Sequence, residues 1–324
     1  MTRDLFRERI NAFEETMRAK PAGAEGFPGT YQPVTRGPGV RQRGAFDPAL
    51  QHFPHGYVAG EPDFADPATG ARWRAARRTA MHHVLAAIAG STCGEHLVLR
   101  GSVLMRAWFG DHAREPGDLD FVVTPASMAM EGTEGRDLVD GIVNAVRRFP
   151  PAGDVRVDAD EVSTAEIWTY ERVPGRRLVF PWYAPDLPPG TVQLDAVFNE
   201  ELPEPPADTP VPVADGAEPV LVRAVSPQLS LVWKLLWLAT DSYPQGKDLY
   251  DATLLAEFTT VPWHRVTEAL IPELGDRAGE FTPDSVRHVR PDWDNFRDQY
   301  PGFGDAGEEW ERRLEAALQR SYAG

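Results

Sequence analysis

The chain of 324 residues has a single cysteine, Cys93. That excludes an internal disulfide framework and a cysteine zinc site, and a reducing cytoplasm is the expected setting. Basic residues are also short: 33 Lys and Arg stand against 49 Asp and Glu, a net charge of −16. This argues against a generally basic surface that coats nucleic acid, while a local basic path could still steer RNA. No apolar run approaches the roughly 20 residues needed to cross a bilayer, so no membrane partner is expected. Met1-Thr2-Arg3-Asp4 opens no secretory signal peptide. One glycine pattern, Gly302-Phe303-Gly304-Asp305-Ala306-Gly307, matches the dinucleotide-binding expression. No strand precedes it and too little chain follows for the βαβ unit that the motif requires.

The most informative stretch runs from Glu95 to Val123. His96 to Leu99 is a short strand-like run, Gly101-Ser102 stops it, and Val103 to Trp108 offers a helix. A turn at a helix N-terminus presents free N–H groups and the positive dipole end. Gly101 there would let a phosphate approach the backbone, and Ser102 would add a hydroxyl. The segment Asp118 to Val123 follows, where alternation puts Asp118 and Asp120 on one face and Leu119 and Phe121 on the other. Two neighbouring carboxylates with no basic residue between them repel unless a cation lies between. Asp158-Ala159-Asp160 and Asp292-Trp293-Asp294 share the spacing but not the strand, turn, helix context.

Around this stretch the chain reads in four parts. Residues 1–70 hold an amphipathic helix over 2–19 and a Gly/Pro-rich arm with Arg36, Arg41 and Arg43, either packed on the catalytic domain or ordered only by substrate or partner. Residues 71–200 form the catalytic candidate. Its first helix, about 67–89, carries Arg72, Arg74, Arg77 and Arg78 as a phosphate-facing patch or a solvated face. A helix over 134–149 and strands over 167–172, 177–182 and 191–198 follow. In the last of these Asp195 interrupts an apolar run, which is costly unless it is exposed or paired. Residues 201–222 read as a Pro- and acid-rich connector. Residues 223–324 turn helical, beginning at Ser226-Pro227. Lys234 sits mid-helix among apolar residues, and a buried ammonium there needs an anion or a snorkelling stem.

At Arg100-Gly101-Ser102, and at Arg114 with Asp118-Leu119-Asp120, the sequence resembles the nucleotidyltransferase superfamily of DNA polymerase β type. Within it the likeness is to the AbiEii/AbiGii toxin branch, related to the MenT toxins. The likeness covers roughly residues 76 to 257, with Pro116 where the branch has Ser or Thr. It includes Lys247-Asp248-Leu249-Tyr250-Asp251, similar to the branch's Arg-Asp-Leu-Tyr-Asp-Leu. The resemblance implies an α+β fold: a mixed sheet flanked by helices, followed by a C-terminal helical domain that completes the site. It implies Mg²⁺, or alternatively Mn²⁺, held by Asp118, Asp120 and Asp195. Gly101 and Ser102 would grip the phosphates of a nucleoside triphosphate (NTP), Lys234 would meet the triphosphate, and Asp248 would accompany the lysine. The implied acceptor is RNA, most specifically the tRNA 3′ end, and the implied partner is a separately encoded antitoxin in a phage-defence type system. A small-molecule nucleotidyltransferase and a non-catalytic binding module of the same fold are the competing readings.

Overall fold

The computed structural model describes residues 26–33, 39–151, 153–169, 173–303 and 306–322. The expected helix over 2–19 and Arg36 lie outside the described residues. The chain divides into two compact units, Met1–Ala107 with Glu115–Ala224, and Trp108–Arg114 with Val225–Gly324.

The first unit is built on a mixed eight-stranded sheet. Its strands are β3 (Leu97–Arg100), β4 (Asp118–Val123), β5 (Arg156–Val157), β6 (Ser163–Thr169), β7 (Val173–Tyr183), β8 (Gly190–Val197), β9 (Ala207–Val211) and β10 (Val220–Ala224). They lie in the order β5-β7-β8-β4-β3-β10-β9, with β6 paired to β7. β4 and β8 run parallel, and so do β3 and β10. The central strands are the apolar ones: every residue of β3 is buried, as are Leu119, Phe121, Val122 and Val123 of β4. Helices α1 (Pro67–Ala89) and α3 (Thr133–Arg148) pack against each other. α1 begins where its sequence says it should. The Asp66 carboxylate accepts from Ala68 N and Thr69 N, and Pro67 takes the first turn, where its missing N–H costs nothing.

Two expectations are corrected here. The arm of 21–70 is not wholly irregular, because β1 (Val40–Phe46) and β2 (Tyr57–Phe64) form an antiparallel ribbon with a bulge between Gln42 and Gly44. Glycine hid the alternation: a Cβ at Gly60 would stand 3.0 Å from the Arg43 carbonyl oxygen, so a side chain there would press on the facing backbone. The segment 201–222 is not only a connector, since it supplies β9 and the start of β10. Pro210 is tolerated because β9 ends the sheet, where a missing N–H leaves no ladder bond unmade. Half of the arginine patch of α1 is also spent. Arg77 is buried against Glu61 at 2.6 Å, and Arg78 bonds Glu115 and Asp215.

The second unit is helical, with α4 (Pro227–Thr240), α5 (Gly246–Phe258), α6 (Trp263–Leu274), α7 (Trp293–Gln299) and α8 (Gly307–Tyr322). Ser226 caps α4 by accepting from Leu229 N at 3.0 Å. α5 packs on α4 and α8, and Tyr250, Phe296, Phe303 and Trp310 form an aromatic cluster beside them. No helix among the described residues is long and apolar enough to cross a membrane.

Candidate active site

The site in the first unit is a row of charges laid across the sheet. Arg100 on β3 is in register with Asp120 on β4, Asp120 with Asp195 on β8, and Asp195 with Arg177 on β7. Registered neighbours project to the same face, so the row reads plus, minus, minus, plus. Asp118 lies two residues from Asp120 on that face, beside Gln193. The sheet therefore brings Asp118, Asp120 and Asp195 together, from two parallel strands.

The Gly101-Ser102 turn closes on these acids. Gly101 has φ +84°, a left-handed conformation that suits glycine, and it opens helix α2 (Ser102–Phe109). A Cβ at Gly101 would stand 2.3 Å from Asp120 Oδ2, so a side chain there would displace that carboxylate as well as strain the backbone. Ser102 is buried and its hydroxyl donates to Asp118 Oδ1 at 3.2 Å.

Asp195 is paired as well as buried. Arg177 grips it in a fork, Nε to Oδ1 at 2.8 Å and Nη2 to Oδ2 at 2.6 Å, and Gln193 donates to Oδ2 at 3.2 Å. Burial pushes the Asp195 carboxyl up, Arg177 pulls it down, and the charges of Asp118 and Asp47 add to the push, so it ends above the ordinary carboxylate range. Burial likewise works against the Arg177 charge, but Asp195 and Asp47 outweigh it and hold the guanidinium fully protonated. Two like charges one strand spacing apart repel by roughly 3 kcal/mol at an effective dielectric of about 20. A forked arginine in contact offsets that.

Arg177 is the residue that sequence reading missed. Its signal was the same as that of Asp195: a charge inside an apolar strand, here VPGRRLVFPWY, with only 2 % of the side chain exposed. Two such anomalies on strands close in sequence should have been paired with each other.

Lys234 and Asp248 come together in the second unit. The Lys234 ammonium donates to Asp248 Oδ1 at 2.7 Å, lies 3.2 Å from Asp251 Oδ2, and sits 4.6 Å from the centre of the Trp237 ring. Arg114 donates to Asp251 Oδ2 at 3.1 Å, so Asp251, fully buried, joins two cations. Asp251 and Arg114 are thus as much part of this group as Asp248. Burial pushes the Asp251 carboxyl up, but Arg114 and Lys234 more than reverse this and hold it below the ordinary range.

That direction has a consequence for stability. A carboxyl with a lowered folded pKa binds fewer protons folded than unfolded, so its ionisation stabilises above about pH 4 and the benefit is lost as pH falls through the lowered value. Urea midpoints of the wild type should fall below pH 4 more steeply than those of Asp251→Asn. Equal slopes would remove Asp251 from the account.

Among the described residues, no group of three or more His, Cys, Asp or Glu side chains stands ready arranged for a metal ion. The donor chemistry nevertheless fits a hard cation at Asp118 and Asp120. Both are half-buried carboxylates on one face, and Mg²⁺ is commonly held by one or two carboxylates, with substrate phosphates and water filling the rest. Asp195 is a poorer ligand as it stands. Of about four lone-pair positions on a carboxylate, Arg177 and Gln193 occupy three, leaving one on Oδ1.

Comparison with known proteins supplies the class. The family model "Nucleotidyl transferase AbiEii toxin, Type IV TA system" matches residues 83–320. The chain belongs to this family, and it is a nucleotidyltransferase of toxin type. Among solved structures it is similar to MenT4, a nucleotidyltransferase toxin from Mycobacterium tuberculosis H37Rv, at 17% identity. That similarity covers 76% of this chain and 83% of the other, with a TM-score of 0.48. No curated protein matches the sequence.

Proposed function

We propose that the protein moves a nucleoside monophosphate from an NTP to an acceptor hydroxyl on RNA, the tRNA 3′ end being the favoured acceptor, in a Mg²⁺-dependent reaction. A separately encoded antitoxin is its proposed partner. The observation that carries this reading is the meeting of Asp118, Asp120 and Asp195 on one face beside the Gly101-Ser102 turn. Asp118 and Asp120 would hold divalent cation, which supplies charge neutralisation at the phosphates. The remaining work falls to the chain. The turn at the start of α2 offers backbone N–H groups to a terminal phosphate, with Gly101 allowing close approach. Asp195 Oδ1 takes the proton of the acceptor hydroxyl as its oxygen bonds to the α-phosphorus, and the bond from that phosphorus to the bridging oxygen breaks to release pyrophosphate. Position and charge, rather than covalent chemistry by the protein, lower the barrier.

The net charge of −16 favours one other acceptor, a cationic small molecule. A single experiment separates the two. The protein is incubated with each labelled NTP, with and without total tRNA, and with Mg²⁺ or excess chelator. Label should enter tRNA only in the Mg²⁺ arm. Label entering no RNA in any arm, or entering it equally under chelation, would reject this reading.

A further inference from the structure

The β1–β2 ribbon lies outside residues 83–320, the part that matches the family, yet its tip reaches the charge row. Arg177 has three donor nitrogens. Two are forked on Asp195, and the third, Nη1, forms an ion pair with Asp47 Oδ2 at 2.7 Å, outside hydrogen-bond geometry. Asp47 is itself held rigidly. Its N–H donates to Gly56 O at 2.9 Å, its carbonyl accepts from Leu50 N at 3.0 Å, and its Oδ1 accepts from Ala49 N at 3.0 Å. Leu50, fully buried, pins the 3-10 turn Pro48–Leu50 that Asp47 caps, and this turn packs against β6. One carboxylate oxygen therefore fixes the turn, and the other is aimed at the arginine.

We propose that Asp47 is a positioning residue for nucleotidyl transfer: by anchoring Nη1 it locks the Arg177 guanidinium, and the locked fork sets the direction of the remaining Asp195 Oδ1 lone pair. This rests on the role given above to Asp195. A guanidinium forked on one carboxylate and paired by charge with a second has less freedom to tilt, and to carry its carboxylate with it, than one held by the fork alone. The ribbon thus acts on the reaction without touching substrate, as outer partners do for ligating carboxylates.

The test uses the full chain. Asp47→Asn keeps the size and the acceptor for Ala49 N–H but removes the charge facing Arg177. Expected is a kcat about 10- to 100-fold lower with the KM for NTP unchanged within about twofold, on a protein with a wild-type melting curve. Asp47→Glu, which restores the charge, should regain part of the loss. Independently of turnover, a ¹⁵N spectrum of the arginine side chains should show separate, slowly exchanging Arg177 Nη signals in the wild type that merge in Asp47→Asn. An unchanged kcat overturns the proposal. So does a loss of activity that only follows loss of fold, or an unchanged guanidinium spectrum. A wild type that labels no acceptor would reject the reaction reading instead, and the spectrum would still decide whether Asp47 orders Arg177.

Discussion

Asp120→Ala is expected to lower nucleotide transfer by about a thousandfold or more, equivalent to about 4 kcal/mol of transition-state stabilisation, while leaving the fold intact. Asp120 is half-buried and shares its face with Asp118 and, in register, Asp195. Removing it relieves repulsion among three acids and gives up the attraction of Arg100 beside it, so the melting temperature should change little. The catalytic loss follows because the charge the site presents to a cation falls by one, and no neighbouring carboxylate can substitute: Asp118 receives the Ser102 hydroxyl and Asp195 is gripped by Arg177. Asp120→Asn, equal in size, should lose nearly as much, which separates charge from shape. Transfer at wild-type rate by either variant would sink the assignment.

The second large effect is on stability. Lys234→Met should destabilise the protein by about 3–5 kcal/mol, the cost of breaking a buried ion pair from one side, and lower the melting temperature by roughly 10 °C. Asp248 has 5 % of its surface exposed and Asp251 none, so the two carboxylates would keep a single buried cation, Arg114, which bonds Asp251 Oδ2 at 3.1 Å. The neighbouring Asp248 would lose its 2.7 Å partner outright. Adding Asp248→Asn to the methionine variant should recover part of the loss, because it removes the orphaned charge. A melting point unmoved by Lys234→Met, measured by calorimetry, would mean that the helical unit does not depend on this pair.

How much was legible depended on distance along the chain. Ser226-Pro227 announced the start of α4 because a cap and its target N–H group lie within three residues. The 118/120 pair was legible because strand alternation is a property of neighbours. The ribbon was not, since Gly60, closely packed on the facing strand, and Pro62 broke its pattern. Nor was β9, whose proline and acid have the composition of a linker and whose edge position no local signal records.

By itself, then, the sequence determined the turn, the acidic pair, the capped helix and the family, because each depends on spacings of a few residues. Tertiary structure alone decided what balances the charges. Arg177 answers Asp195, Asp47 answers Arg177, and Asp251 joins Lys234 to Arg114. Those partners lie from 17 to 137 residues apart, set by strand register and helix packing. A buried charge requires a partner but does not say where along the chain it will come from.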